Sequence, residues 1–222
     1  MILDLGLIDY EAACRIQKEF VARRKSGCIE DSIVLAEHKA VFTIGRTGLS
    51  ENLLEREDVL RESGIKVIRV DRGGDITFHG PGQLVIYPIV DLKSRGRDMH
   101  KYMRDLEEAA IRALRDYAVF GERIHSKTGV WIGEKKIASV GVGASNWITF
   151  HGISLNIDCD LSFYNMINPC GMKGVKMTSL GAILNRGVAM DGAKERVIPY
   201  FIDIFGIEGQ RYVHREETAL VA

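Results

Sequence analysis

Apolar residues recur along this chain at two periods, and the changes of period mark out its helices and strands. From Asp9 to Arg24, Tyr10, Ala13, Ile16, Phe20 and Val21 return at helical spacing. Asp9 is placed to cap that helix and Gly27 to end it. Ile33-Val34-Leu35 and Val41-Phe42-Thr43-Ile44 are rich in β-branched residues and flank the polar Glu37-His38-Lys39, so they predict two strands. A short polar helix is expected over 56–62, stopped by Gly64, and Lys66 to Val70 then alternates as a strand. Leu84 to Tyr87 predicts another strand. The spacing of Tyr102, Leu106, Ala109, Ala110, Ala113 and Leu114 predicts a long helix over 99–117. Gly129 to Ile132 and Lys136 to Val140, joined by a Gly133-Glu134 turn, read as a hairpin, and a further strand is expected over 152–157. The last helix begins near Asp191, where Pro199 predicts a kink or break close to Ile198.

Strand clusters interrupted by helices indicate an α/β (α+β) fold with a large mixed, partly antiparallel sheet flanked by helices. The 222 residues, 46% of them apolar, suit one core, so a single domain over 1–222 is expected. Thirty basic and thirty acidic residues cancel. No basic excess or stripe supports a nucleic-acid partner, and no apolar window is long enough to span a bilayer. The N-terminus lacks the basic start and apolar stretch of a signal peptide, which makes the cytoplasm the expected compartment.

Three segments between or at the ends of these elements are candidates for chemistry. Residues 71–82, DRGGDITFHGPG, hold four of the 23 glycines and fit either a glycine-rich turn or a loop whose backbone approaches a ligand closely. Neither a Walker A loop nor a GxGxxG fingerprint is present there, so a nucleotide-phosphate site is unsupported. Lys135 and Lys136 adjoin the predicted hairpin turn, and strand alternation sends their side chains to opposite faces, one to solvent and one inward. Cysteines 14, 28, 159 and 170 form no CxxC pair, so neither a disulfide framework nor a metal site is expected. Cys170, between Pro169 and Gly171 in a predicted loop, is the thiol best placed to react.

Four segments resemble the lipoyl(octanoyl) transferase family: RGGDITFHGPGQLVIYP (72–88), TGVWIGEKKIASVGV (128–142), FHGISLNI (150–157) and NPCGMKGVKMTSL (168–180), in that family's order. The resemblance implies the fold shared by biotin and lipoate protein ligases. It implies an acyltransferase without a cofactor, with Cys170 carrying an octanoyl group as a thioester and Lys136 assisting. It assigns acyl binding to Arg72, Gly73, Gly74, Asp75, Ile76, Thr77, Phe78 and His79, and to two further segments, Ser139-Val140-Gly141 and Gly152-Ile153-Ser154. The implied partners are octanoyl-acyl carrier protein as donor, and as acceptors the lipoyl domains of 2-oxoacid dehydrogenase E2 subunits and the glycine cleavage H protein. A monomer is expected. Two roles stay open: Lys136 as an ammonium that lowers the thiol pKa or as a neutral base, and His79 as an acid–base group or as a residue that orders its loop. The rival reading is a lipoate or biotin protein ligase of the same fold, which needs ATP and Mg²⁺ and has no need of Cys170.

Overall fold

The computed structural model describes residues 1–207 and 212–214. The expected domain over 1–222 therefore extends in part beyond the described residues. Two sheets are present. The larger is ordered β12 (Tyr212–His214), β1 (Ile2–Ile8), β2 (Ser32–His38), β6 (Gln83–Ile89), β10 (Ile148–Asn156), β9 (Lys135–Ser145), β8 (Lys127–Ile132), β7 (Glu122–Ile124). The short β11 (Lys176–Met177) pairs with β9 off that path. The β1–β12, β1–β2 and β9–β11 pairs are parallel and the rest antiparallel, which makes the sheet mixed, as expected. The smaller sheet is β4 (Lys66–Arg69), β3 (Val41–Ile44), β5 (Ile76–His79), and the short helices α2 (Glu57–Glu62) and α4 (Leu180–Leu184) lie in the connections.

The central strands β2 and β6 carry unbroken apolar runs, Ile33–Ala36 and Leu84–Tyr87, because both faces of the large sheet are covered there. Ile33, Leu35, Leu84 and Ile86 face α3 (Met99–Arg115) and α5 (Met190–Phe205), whose Leu106, Leu114, Val197 and Phe201 complete that core. The alternate residues Val34, Ala36, Val85 and Tyr87 face α1 (Tyr10–Lys25), through Ala13 and Phe20. A third cluster lies on the far face of the small sheet, where Phe42, Ile44, Ile76 and Phe78 meet Tyr164 and Ile167. Each such side chain withdrawn from water contributes about 1.5–3 kcal/mol. Among the described residues, no helix is long and apolar enough to cross a membrane.

Three expectations need correction. Of the kink or break expected near Ile198, the break does not occur: α5 continues through Pro199 from Met190 to Phe205. Proline removes one backbone hydrogen bond, while Val197, Ile198, Phe201 and Phe205 bury their side chains on either side of it and hold the helix on the core. The cap of that helix is Ala189, not Asp191. The glycine-rich stretch 71–82 is neither all turn nor all loop, since β5 lies inside it.

Candidate active site

Lys136 and Cys170 meet although 34 positions separate them, the Nζ of Lys136 donating to Sγ at 3.1 Å. Lys135 and Lys136 open β9 on opposite faces, as alternation requires: Lys135 is exposed and Lys136 is 1% exposed. The buried ammonium end rests over the Trp131 ring, 5.5 Å from its centroid, a cation–π contact. Space for its stem comes from Gly129 on β8, whose N–H donates to the buried Glu107 of α3 at 2.7 Å.

Cys170 sits in a tight turn over Pro169–Gly171 with φ 57° and ψ 25°, in the left-handed region that residues other than glycine seldom occupy. The surroundings hold it there. Asn168 N–H donates to the Asn52 carbonyl at 2.8 Å, Gly171 N–H to Asn168 O at 2.9 Å, and Asn52 Nδ2 to Asp75 Oδ2 at 2.7 Å. A Cβ on Gly171 would come within 2.7 Å of that Asp75 oxygen, so only glycine lets the turn lie on β5. Downstream, Met177 registers with Lys136, and Thr178 N–H donates to the Lys136 carbonyl at 2.9 Å. The chain that carries the thiol is thus tied to the strand that carries the amine.

A narrow slot with about 40 Å³ of free space opens beside the pair, between the two sheets. Twelve of the residues that the resemblance assigns line it. Arg72, Gly74, Asp75, Thr77 and His79 line one side and Ser139, Val140, Gly141, Gly152, Ile153 and Ser154 the other, with Cys170 at the pair. On that second side the registers Ser139–Ser154, Val140–Ile153 and Gly141–Gly152 align the two segments. Ile76 and Phe78 point the opposite way, into the cluster behind the small sheet, as alternation along β5 dictates. Gly73 lies outside the slot lining, and its N–H anchors the loop to the Val142 carbonyl at 2.8 Å.

Arg72 bridges the sheets. Its Nη2 donates to Thr43 O at 2.6 Å and its Nη1 to Gly73 O at 3.0 Å, while its Cδ would lie 2.9 Å from a side chain on Gly141. Burial pulls its pKa below the ordinary arginine value, yet a guanidinium keeps its proton, so a positive charge stands at the slot. His79 is engaged in a buried hydrogen-bond network. Burial pushes its pKa well below the usual value, and its Nδ1 pairs with Gln83 Oε1 at 2.7 Å. The Gln83 amide donates to Asn156 Oδ1 and Tyr164 Oη at 2.8 and 2.9 Å, which orients Oε1 as acceptor and leaves the His79 Nδ1 as donor.

Sequence reading missed Tyr10, Val85, Tyr87 and His151, all of which line the slot. Val85 and Tyr87 were inside the matching segment 72–88 and His151 inside 150–157, beside Gly152. His151 is the most constrained of them. It takes φ 55°, its N–H is held by Gln17 Oε1 at 2.7 Å, its Nε2 pairs with Asp71 at 2.9 Å, and its Nδ1 faces the Tyr10 hydroxyl at 3.4 Å. Among the described residues, no cluster of three or more metal-ligating side chains is present.

Residues 9–202 match the model of the lipoyl protein ligase A/B catalytic domain. The chain belongs to that family. It is 47% identical to an octanoyltransferase of Solibacter usitatus over 204 residues, 92% of each chain. Over 206 residues it is 43% identical to an octanoyltransferase of Geobacter metallireducens, covering 91% of this chain and 93% of that one. Its backbone also follows the crystal structure of lipoate-protein ligase A bound with ATP, with a TM-score of 0.75 over 98% of this chain and 91% of that one, at 17% identity. The fold is therefore shared with a ligase, while these sequence relatives of the chain bear the transferase name.

Proposed function

We propose that the chain is an octanoyltransferase that works through an acyl-thioester on Cys170. The observation that carries this reading is the 3.1 Å contact between the Lys136 amine and the Cys170 thiol at the slot. A ligase that activates a free acid with ATP has no use for a nucleophilic thiol, so a buried lysine aimed at a strained, half-buried cysteine favours covalent transfer. The family and its octanoyltransferase relatives point the same way.

The donor is octanoyl-acyl carrier protein and the acceptor a lysine of a lipoyl domain, as in 2-oxoacid dehydrogenase E2 subunits and the glycine cleavage H protein. In the first step the Cys170 thiolate attacks the donor carbonyl and the donor thiol leaves. In the second the acceptor amine attacks the Cys170 thioester, an amide forms and the thiolate returns. Lys136 neighbours the sulfur throughout. Its ammonium stabilises the thiolate, and by giving a proton to the departing donor it becomes the base that the incoming amine requires. Transfer between thioesters is nearly neutral and aminolysis runs downhill, so no ATP is consumed.

Intact-protein mass spectrometry after mixing the enzyme with octanoyl-acyl carrier protein in the absence of ATP tests the reading. One octanoyl group is expected on the native chain and none on Cys170→Ala. Transfer that appears only with free octanoate or lipoate and ATP would make the chain a ligase and Cys170 a structural residue.

A further inference from the structure

Three buried side-chain polar atoms of the described residues lack a hydrogen-bond partner, and one of them, Oγ1 of Thr77, belongs to a residue that lines the slot. Thr77 is 6% exposed. The neighbouring groups are already engaged. Its cross-strand partner Thr43 uses its hydroxyl oxygen to accept from Arg72 at 2.9 Å, and Arg72 spends its remaining contacts on Thr43 O and Gly73 O. A hydroxyl buried with nothing to bond to is uncommon in a folded protein and calls for a partner that arrives later.

Position identifies that partner. β5 packs against the Pro169–Gly171 turn, and Asp75 touches it at Gly171. Thr77, the next slot-lining residue after Asp75, stands on β5 itself, the strand that packs against that turn. The acyl chain that the proposed function places there is hydrocarbon except for its carbonyl, and the carbonyl oxygen is its one good acceptor. An acyl chain held in so narrow a slot lies against Thr77, one of its lining residues.

We infer that Thr77 donates the hydrogen bond that holds the carbonyl oxygen of the acyl group during both transfer steps. This inference rests on Cys170 as the acyl carrier. When the thiolate attacks, the S–C bond forms and the carbonyl π pair moves onto oxygen, which Thr77 holds by its O–H without giving up the proton. Collapse restores the carbonyl and breaks the bond to the donor sulfur, which leaves with a proton from Lys136. In the second step the C–N bond forms, the same oxygen again takes the pair, and collapse breaks the Cys170 C–S bond while Lys136 takes the proton of the amine. Donors aimed at the developing oxyanion lower the barrier because their orientation is set before the charge appears.

Thr77→Val keeps the shape and removes the hydroxyl, while Thr77→Ser keeps it. Acylation of Cys170 by octanoyl-acyl carrier protein is followed by rapid quenching and intact mass, with the rate of Cys170 alkylation by iodoacetamide as a parallel readout of thiol reactivity and fold. The valine variant is expected to acylate about 10²-fold more slowly, the serine variant to recover most of that loss, and alkylation to be the same in all three. Native acylation by the valine variant would overturn the inference, as would an equal fall in alkylation, which would place Thr77 with the thiol or the fold. Failure of the native chain itself to gain an octanoyl group would remove the acyl-cysteine reading, and the role of Thr77 with it.

Discussion

The stem of Lys136 occupies the place where a side chain on Gly129 would stand: a Cβ there would collide with Lys136 Cε and with the Ala138 carbonyl. Gly129 also has φ 120°, a conformation that side-chain-bearing residues avoid. Gly129→Ala should therefore displace the amine from the thiol as well as strain β8. The expected result is a loss of about 1–3 kcal/mol of stability together with slower alkylation of Cys170, read by denaturant unfolding and by mass spectrometry. Undiminished alkylation would show that Lys136 reaches Cys170 by another route.

Substitution of Lys136 itself separates charge from proton transfer. Arginine keeps the charge but never yields its proton near neutral pH. Lys136→Arg is expected to lower turnover about 10²–10⁴-fold, the span of general acid–base contributions, as measured by octanoyl transfer to a lipoyl domain. Native turnover in that variant would exclude proton transfer by Lys136 and leave only its charge.

The four cysteines should label unequally. Burial pushes the Cys14 thiol up to about 11 and the Cys159 thiol up to about 12. At neutral pH neither holds appreciable thiolate, the reactive form. Iodoacetamide followed by peptide mapping should find the adduct on Cys170 and on the exposed Cys28, with Cys14 and Cys159 spared. Early modification of Cys159 would mean that its surroundings open in solution.

His38 predicts a slope of stability against pH. Burial lowers its pKa from 6.5 to about 4, and its Nδ1–H donates to the Ile8 carbonyl while Nε2 accepts from the Tyr87 hydroxyl. The unfolded chain therefore binds a proton between those values that the folded chain refuses. Stability is full above pH 6.5 and falls as the pH drops toward 4, by an amount on the order of 3 kcal/mol from this residue. Urea unfolding from pH 4 to 7 should show that slope, and His38→Gln should reduce it. An unchanged slope would assign it to other groups.

The sequence carried the elements well wherever one period dominated. The long helix showed its buried stripe from Tyr102 to Leu114 in its spacing alone, and the paired lysines showed which strand faces they would take. It carried the β1 strand poorly, because Asp4 and Gly6 interrupt the apolar pattern of Ile2–Ile8, and Asp4 is buried on the strength of a 2.8 Å pair with Lys194 that lies 190 positions away. Pro199 misled because a local rule about a missing hydrogen bond was outweighed by apolar packing on both sides. At the site, motif order reached Cys170 and Lys136. It did not separate Thr77 from Ile76 and Phe78, since only the strand within the glycine-rich stretch decides which of them turn toward the slot. Tyr10 and Tyr87 were illegible for a related reason: each reads as an ordinary core aromatic until two distant elements are brought together.

An acyl-cysteine that waits for a second protein is exposed to a competitor present in vast excess, since a water molecule can end its life as readily as an amine can. The slot, narrow between the walls of two sheets, answers that hazard. A chain lodged between them leaves no room for bystanders beside its reactive carbon, so the intermediate should drain slowly while it is alone and discharge quickly once a lysine is presented from outside. The tightness of the fold around Cys170 would then act as the clock that lets one thiol serve two visitors in turn.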